Sequence, residues 1–180
     1  MYLAQEHGVD CGLLQEVENI NLRRVESFVR KVRQAVWVLQ GKKLAVLGLA
    51  FKGGTDDIRE SPALRIVKAL LEEGARLQVH DPKAMEATQK ALPPQAGRLQ
   101  YCSSPYEAAR EAHALLILTD WKEYRELDLA RLHGLMEVPV IVDGRNLLDP
   151  KAVQSAGFEY VDMGRSSHAR QLAGVAESVS

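Results

Sequence analysis

The stretch from Gly48 to Ala63, GLAFKGGTDDIRESPA, gathers a lysine, an arginine, three acids and three glycines into one segment. Glycines at 48, 53 and 54 let backbone come close to a ligand, and Lys52 and Arg59 supply positive charge suited to phosphate. A lone loop lysine is ordinarily a solvated charge, but Lys52 stands between an aromatic ring and two glycines. A Walker motif needs Lys and Ser/Thr directly after its last glycine, whereas Lys52 precedes Gly53, so triphosphate hydrolysis is not expected. Arg59 lies among Asp56, Asp57 and Glu60, where a salt bridge bracing the loop is the local expectation. The two aspartates are read as shaping the turn and orienting Arg59, not as an acid/base pair.

Further along, Arg145 follows a strand in IVDGRN, where Gly144 permits an unusual backbone angle. A planar, always charged guanidinium there suits anion recognition, and capping of its own sheet edge is the plainer alternative. Asp81 ends the second strand, the place where Rossmann proteins set an acid against a ribose hydroxyl; without a GxGxxG turn, a hydroxyl-binding and a structural role stay equally open. Thr119, Asp120 and Trp121 end the fourth strand and either line a pocket or pack under it. The five histidines have no metal spacing, and Cys11 and Cys102 are too few for a cluster or a disulfide framework.

These residues need a scaffold, and the hydrophobic pattern supplies one. Strands are expected at 44–47, 76–80, 99–102, 114–118, 138–142 and 158–161, alternating with helices at 62–73, 83–92, 105–112, 127–132 and 150–155. That alternation specifies an α/β fold, a Rossmann-like doubly wound parallel sheet with right-handed crossovers. Ser61 is placed to cap the first of these helices, with Pro62 at its first position. Ahead of the sheet, residues 13–39 read as a long amphipathic helix whose stripe of Val25, Phe28, Val32 and Val36 needs a cover. A further domain or a second copy of the helix provides one; folding back onto the sheet domain is the alternative. The expected organisation is a helix over 1–40, a Rossmann-like domain over 41–165 and a short tail over 166–180.

The same residues carry a resemblance. GLAFKGGTDDIRESPA is similar to the first strand-to-helix loop of the UDP-sugar-binding domain in the UDP-glucose/GDP-mannose dehydrogenase family. GKKLAVLG before it, LLEEGARLQVHDP after it, ALLILTDW and VIVDGRN all follow in the family's order. TDDIRESPA is nearest the UDP-glucose type, although the GDP-mannose and UDP-N-acetyl-hexosamine types share much of it. The resemblance implies that Phe51 and Lys52 hold a UDP-sugar, that Arg145 contacts it, and that Arg59 reaches NAD bound mainly by another domain. It also implies a homodimer built on the first helix. Enzymes of this family oxidise the sugar's primary alcohol in two hydride transfers to NAD, through a thiohemiacetal and a thioester on a cysteine. That cysteine sits in a GGSCFPKD-like segment, which this sequence lacks along with the dinucleotide fingerprint. Cys11, in HGVDCGLLQEV, resembles the start of the central helix and is not given the nucleophile's role. No catalytic residue is therefore assigned, and the chain alone is expected to be inactive. A non-catalytic nucleotide-binding or assembly module is the competing class.

Composition fits this picture. In 180 residues, 46% of them hydrophobic, one well-buried α/β domain fits with something extra, and two full Rossmann domains do not. Basic and acidic side chains number 23 and 24, giving a net charge of −1, so no global field favours nucleic acid or an anionic membrane. Without a signal peptide or membrane-length apolar run, and with few cysteines, a cytoplasmic location is expected.

Overall fold

A computed structural model describes the backbone of residues 12–164 and side chains from Glu16 onward, so Cys11 and the tail over 166–180 lie outside the described residues. Six strands, β1 (Lys43–Leu47), β2 (Arg76–His80), β3 (Leu99–Tyr101), β4 (Ala114–Ile117), β5 (Val140–Asp143) and β6 (Glu159–Asp162), form one sheet in the order β3-β2-β1-β4-β5-β6. Every pairing is parallel. The central strands are buried on both faces, as the apolar runs LAVL, ALLI and VIV require. The order reverses between β1 and β4, and their connections leave the sheet in opposite directions. This opens a crevice at the carboxyl ends.

Among the described residues six helices surround the sheet: α1 (Gly12–Val36), α2 (Pro62–Glu72), α3 (Met85–Ala91), α4 (Pro105–Ala108), α5 (Leu129–Leu135) and α6 (Pro150–Ser155). Three begin with proline, whose absent N–H costs nothing at that position. Ser104 and Asp149 cap α4 and α6 as such residues do, accepting from the backbone N–H of Glu107 and Lys151. Ser61 does not: its hydroxyl donates to the Leu49 carbonyl and ties α2 to the loop after β1.

Several boundaries move. α3 starts later than expected: Asp81 accepts the N–H groups of Lys83 and Ala84 in a turn, and the bond from the Thr88 N–H to the Ala84 carbonyl opens the helix. α4 ends after one turn, since Glu111 adopts a positive φ of 57° and gives its N–H to the Leu135 carbonyl. A 3-10 turn over Lys122–Glu126 precedes α5, which Asp128 caps. Val138 stays outside β5 because its N–H goes to the Ala112 carbonyl.

The long helix corrects the expectation about its stripe. α1 ends at Val36, where Trp37 turns to a φ of 64°, and its second half packs on α2 and β5. Phe28, Val29, Val32 and Val36 are buried in this chain's own core, and Val25 is partly so. No second copy is needed to cover them, because apolar residues of α2 and β5 do so. Polar latches flank the seam: Lys31 donates to the Asp162 carbonyl at 2.7 Å, and Arg33 pairs with both oxygens of Glu73. The first half projects, and Val17 and Ile20 remain exposed one turn apart.

Candidate functional site

The loop over 48–61 is held from below by side chains the sheet presents. Asp81, 2% exposed at the end of β2, accepts five N–H groups: Leu49, Ala50 and the Trp121 indole on one oxygen, Lys83 and Ala84 on the other. Thr119, fully buried, donates to the Ala50 carbonyl, and Asp120 accepts the Gly53 N–H at 3.0 Å. This last bond is the leading cause that holds the Asp120 carboxyl below its usual range; burial opposes it, and the charges of Arg145 and Arg125 add to it. Thr119 and Trp121 thus pack under the loop.

The glycines serve the same closure. A Cβ at Gly48 would lie 2.4 Å from the Thr119 Cβ, and one at Gly53 would lie 2.7 Å from the Asp120 carbonyl oxygen. These close approaches are to the protein, not to a ligand as expected. Of the three loop glycines only Gly54, with a φ of 88°, faces open space.

On this platform stand Phe51, nearly half exposed, and Lys52, exposed and without a hydrogen bond or ion pair among the described residues. Arg145 reaches the same loop from β5. Its Nε donates to the Leu118 carbonyl at 2.7 Å and its Nη2 to the Phe51 carbonyl at 3.4 Å. Its backbone N–H goes to Asp143, whose other oxygen accepts the N–H groups of Leu147 and Leu148 and the Tyr160 hydroxyl. Gly144 has no unusual φ; it is needed because a Cβ would meet the Phe28 ring at 2.9 Å. The structure therefore brings Arg145 against the backbone of the loop that carries Phe51 and Lys52, at the switch point between β1 and β4. Arg59 stands apart, largely exposed and bidentate on Asp57, whose carboxyl it lowers to about 2.

Family comparison decides what this crevice belongs to. The profile described as UDP-glucose/GDP-mannose dehydrogenase family, UDP binding domain, matches residues 45–150, more than half of the sequence and the whole of this crevice. The chain belongs to that family. It is 42% identical over 163 residues to the UDP-glucose 6-dehydrogenase of Rhizobium meliloti (strain 1021), covering 90% of this chain and 36% of that protein. Among solved structures, a UDP-glucose dehydrogenase from Pyrobaculum islandicum superposes with a TM-score of 0.72 at 31% identity, over 89% of this chain and 34% of that one. A UDP-D-ManNAc dehydrogenase from Pyrococcus horikoshii gives the same TM-score at 27% identity, over 90% and 36%. The chain thus spans little more than a third of the length of its relatives.

For a family member, three residues that sequence reasoning passed over matter. Arg24 and Asn146 join Arg145 in lining a cleft of about 470 Å³ between α1 and the carboxyl ends of β4 and β5, while Phe51 and Lys52 lie outside its walls. Asp143, fully buried, fixes the turn that carries Arg145. Strand-end position was the available signal for Asp143, as it was for Asp81. For Arg24 the signal was its helical spacing from Phe28. Asp81 itself resolves to the structural role: with five donors and almost no exposure, it does not fit a cofactor's ribose hydroxyl. The loop over 48–61 likewise does not run directly into a helix as a dinucleotide turn does. Among the described residues no group of acids, histidines and cysteines fits a metal, and no helix is long and apolar enough to cross a membrane.

Proposed function

We propose that this chain supplies the nucleotide-sugar side of an NAD-dependent UDP-glucose 6-dehydrogenase, binding UDP-glucose that the whole enzyme oxidises to UDP-glucuronate. The observation that carries this reading is the Arg145 guanidinium anchored across the crevice beside Lys52, a lysine without a partner among the described residues, at the topological switch point of the sheet. Phe51, Lys52 and Arg145 hold the UDP-sugar. Arg59, exposed at the loop's outer edge and paired with Asp57, is assigned to NAD bound by another domain. Catalysis itself is assigned outside this sequence. Cys102 is buried with its thiol pushed up to about 11, chiefly by burial, the opposite of what a nucleophile needs. The likeness to a UDP-D-ManNAc dehydrogenase keeps an acetamido sugar as the second reading for the same site.

Calorimetric titration of the chain with UDP and UDP-glucose tests the reading. Both ligands are expected to bind weakly, since one wall of a nucleotide cleft buries only part of the ligand. Lys52→Ala is expected to lower affinity by about 1.5–3 kcal/mol, the worth of a charge-assisted contact, with the melting temperature unchanged. Equal affinity in both proteins removes Lys52 from the site, and no UDP binding by the wild type ends the reading.

A homodimer belongs to the same proposal, now through the first half of α1, where Val17 and Ile20 are exposed at helical spacing. Sedimentation at micromolar concentration is expected to show a dimer that Val17→Asp with Ile20→Asp dissociates. A wild-type monomer would count against it.

A further inference from the structure

The cleft under α1 has an unbalanced wall. Arg24 and Arg145 line it with Asn21 and Asn146, over an apolar floor that includes Phe28 and Ile66, and no carboxylate is among the lining residues. The helix dictates this arrangement. Asn21, Arg24, Val25 and Phe28 follow at three- and four-residue steps on one face, so burying Phe28 against β5 turns Arg24 toward the cleft.

Arg24 has no hydrogen bond or ion pair among the described residues. Arg145 commits its Nε and part of its Nη2 to the carbonyls of Leu118 and Phe51. A guanidinium has five donors, so the rest of that fork is available to a ligand. Asp120, the acid that feels the charge of Arg145, accepts from Gly53 and is not part of the wall. Two guanidiniums in one cleft repel each other, and the apolar floor weakens the screening that would hide it. An anion with several acceptor oxygens relieves that repulsion and satisfies both forks at once.

We propose that Arg24 and Arg145 form a clamp for a phosphate group of the bound nucleotide, which makes Arg24, on the helix and outside the family-matched segment, a ligand-binding residue. This inference rests on the nucleotide-sugar reading and adds the linking helix to the site. The helix then does more than join domains: it closes one side of the phosphate cleft, and its docking through Phe28 sets how the two arginines face the ligand.

The test is titration of the 180-residue chain with UDP at 50 mM and 500 mM salt, using wild type, Lys52→Ala and Arg24→Gln. Arg24 is exposed, so Arg24→Gln is expected to melt with the wild type. At low salt it is expected to bind UDP about tenfold more weakly, and the gap to the wild type is expected to narrow at high salt as the shared charge is screened. Wild-type affinity in Arg24→Gln alongside a loss in Lys52→Ala overturns the clamp and leaves the UDP reading standing. A tenfold gap that salt does not change also overturns it, since that would mark a change of cleft shape and not of charge. Failure of the wild type to bind UDP at millimolar concentration overturns both.

Discussion

Replacing Asp81 by alanine is expected to destabilise the protein by about 3–5 kcal/mol, because it strands buried N–H donors that nothing else nearby accepts. The carboxylate is the single meeting point of three segments: the loop after β1 through Leu49 and Ala50, the end of β4 through Trp121, and the turn into α3 through Lys83 and Ala84. For a chain of this length each kcal/mol corresponds to roughly 2–4 °C, so the melting temperature is expected to fall by about 10 °C or more. Asp81→Asn is expected to recover little, since the amide turns an NH2 group toward donors that need an acceptor. Thermal unfolding followed by circular dichroism reads the effect. If Asp81→Ala melts with the wild type, the convergence of N–H groups on this residue does not hold the loop. A surviving protein is also expected to lose UDP affinity, since Lys52 rides on the segment that Leu49 and Ala50 anchor.

What the sequence made legible, and what it did not, divides along the range of the interactions. The six strands and their parallel order follow from local apolar runs and their alternation with helices, and those signals are complete within a few residues. Proline at the starts of α2, α4 and α6 is equally local. Ser61 shows where local reading stops: Ser-Pro ahead of a helix looks like a cap, but the hydroxyl is turned to donate to the Leu49 carbonyl, which only the folded sheet brings near. The glycines of the first loop were legible as close approaches but not as approaches to what. Only the pairing of β1 with β4 puts Thr119 and Asp120 against Gly48 and Gly53. Phe51 and Lys52 are legible in the GLAFKGG loop and Arg145 in IVDGRN, and Arg145 reaches that loop's backbone because the strand order reverses between β1 and β4. For Arg24 the helical spacing from Phe28 showed only a shared face, and what that face meets lies across the fold beside the end of β5.

The fate of α1 is the same lesson with an energetic consequence. Its stripe was legible, while the surface covering it was a matter of tertiary packing. Phe28, 2% exposed, fills the gap over Gly144 so closely that even a methyl group there would collide with the ring. Phe28→Ala is therefore expected to cost about 3–5 kcal/mol, the range for emptying a buried aromatic site. Melting at low protein concentration, where self-association is weakest, is expected to show a drop of roughly 10 °C. Limited trypsin digestion is expected to cut α1 earlier at Arg30 and Lys31 as the helix loosens from α2 and β5. Phe28→Leu, which keeps much of the volume, is expected to recover most of the loss. Unchanged melting and digestion in Phe28→Ala would mean that the seam is not what holds the helix in solution, and a partner helix would again be needed to cover the stripe. If the expected loss appears, UDP affinity is expected to fall with it. Phe28 is part of the cleft floor, and its contact with the end of β5 holds the helix that carries Arg24 over the cleft that Arg145 also lines.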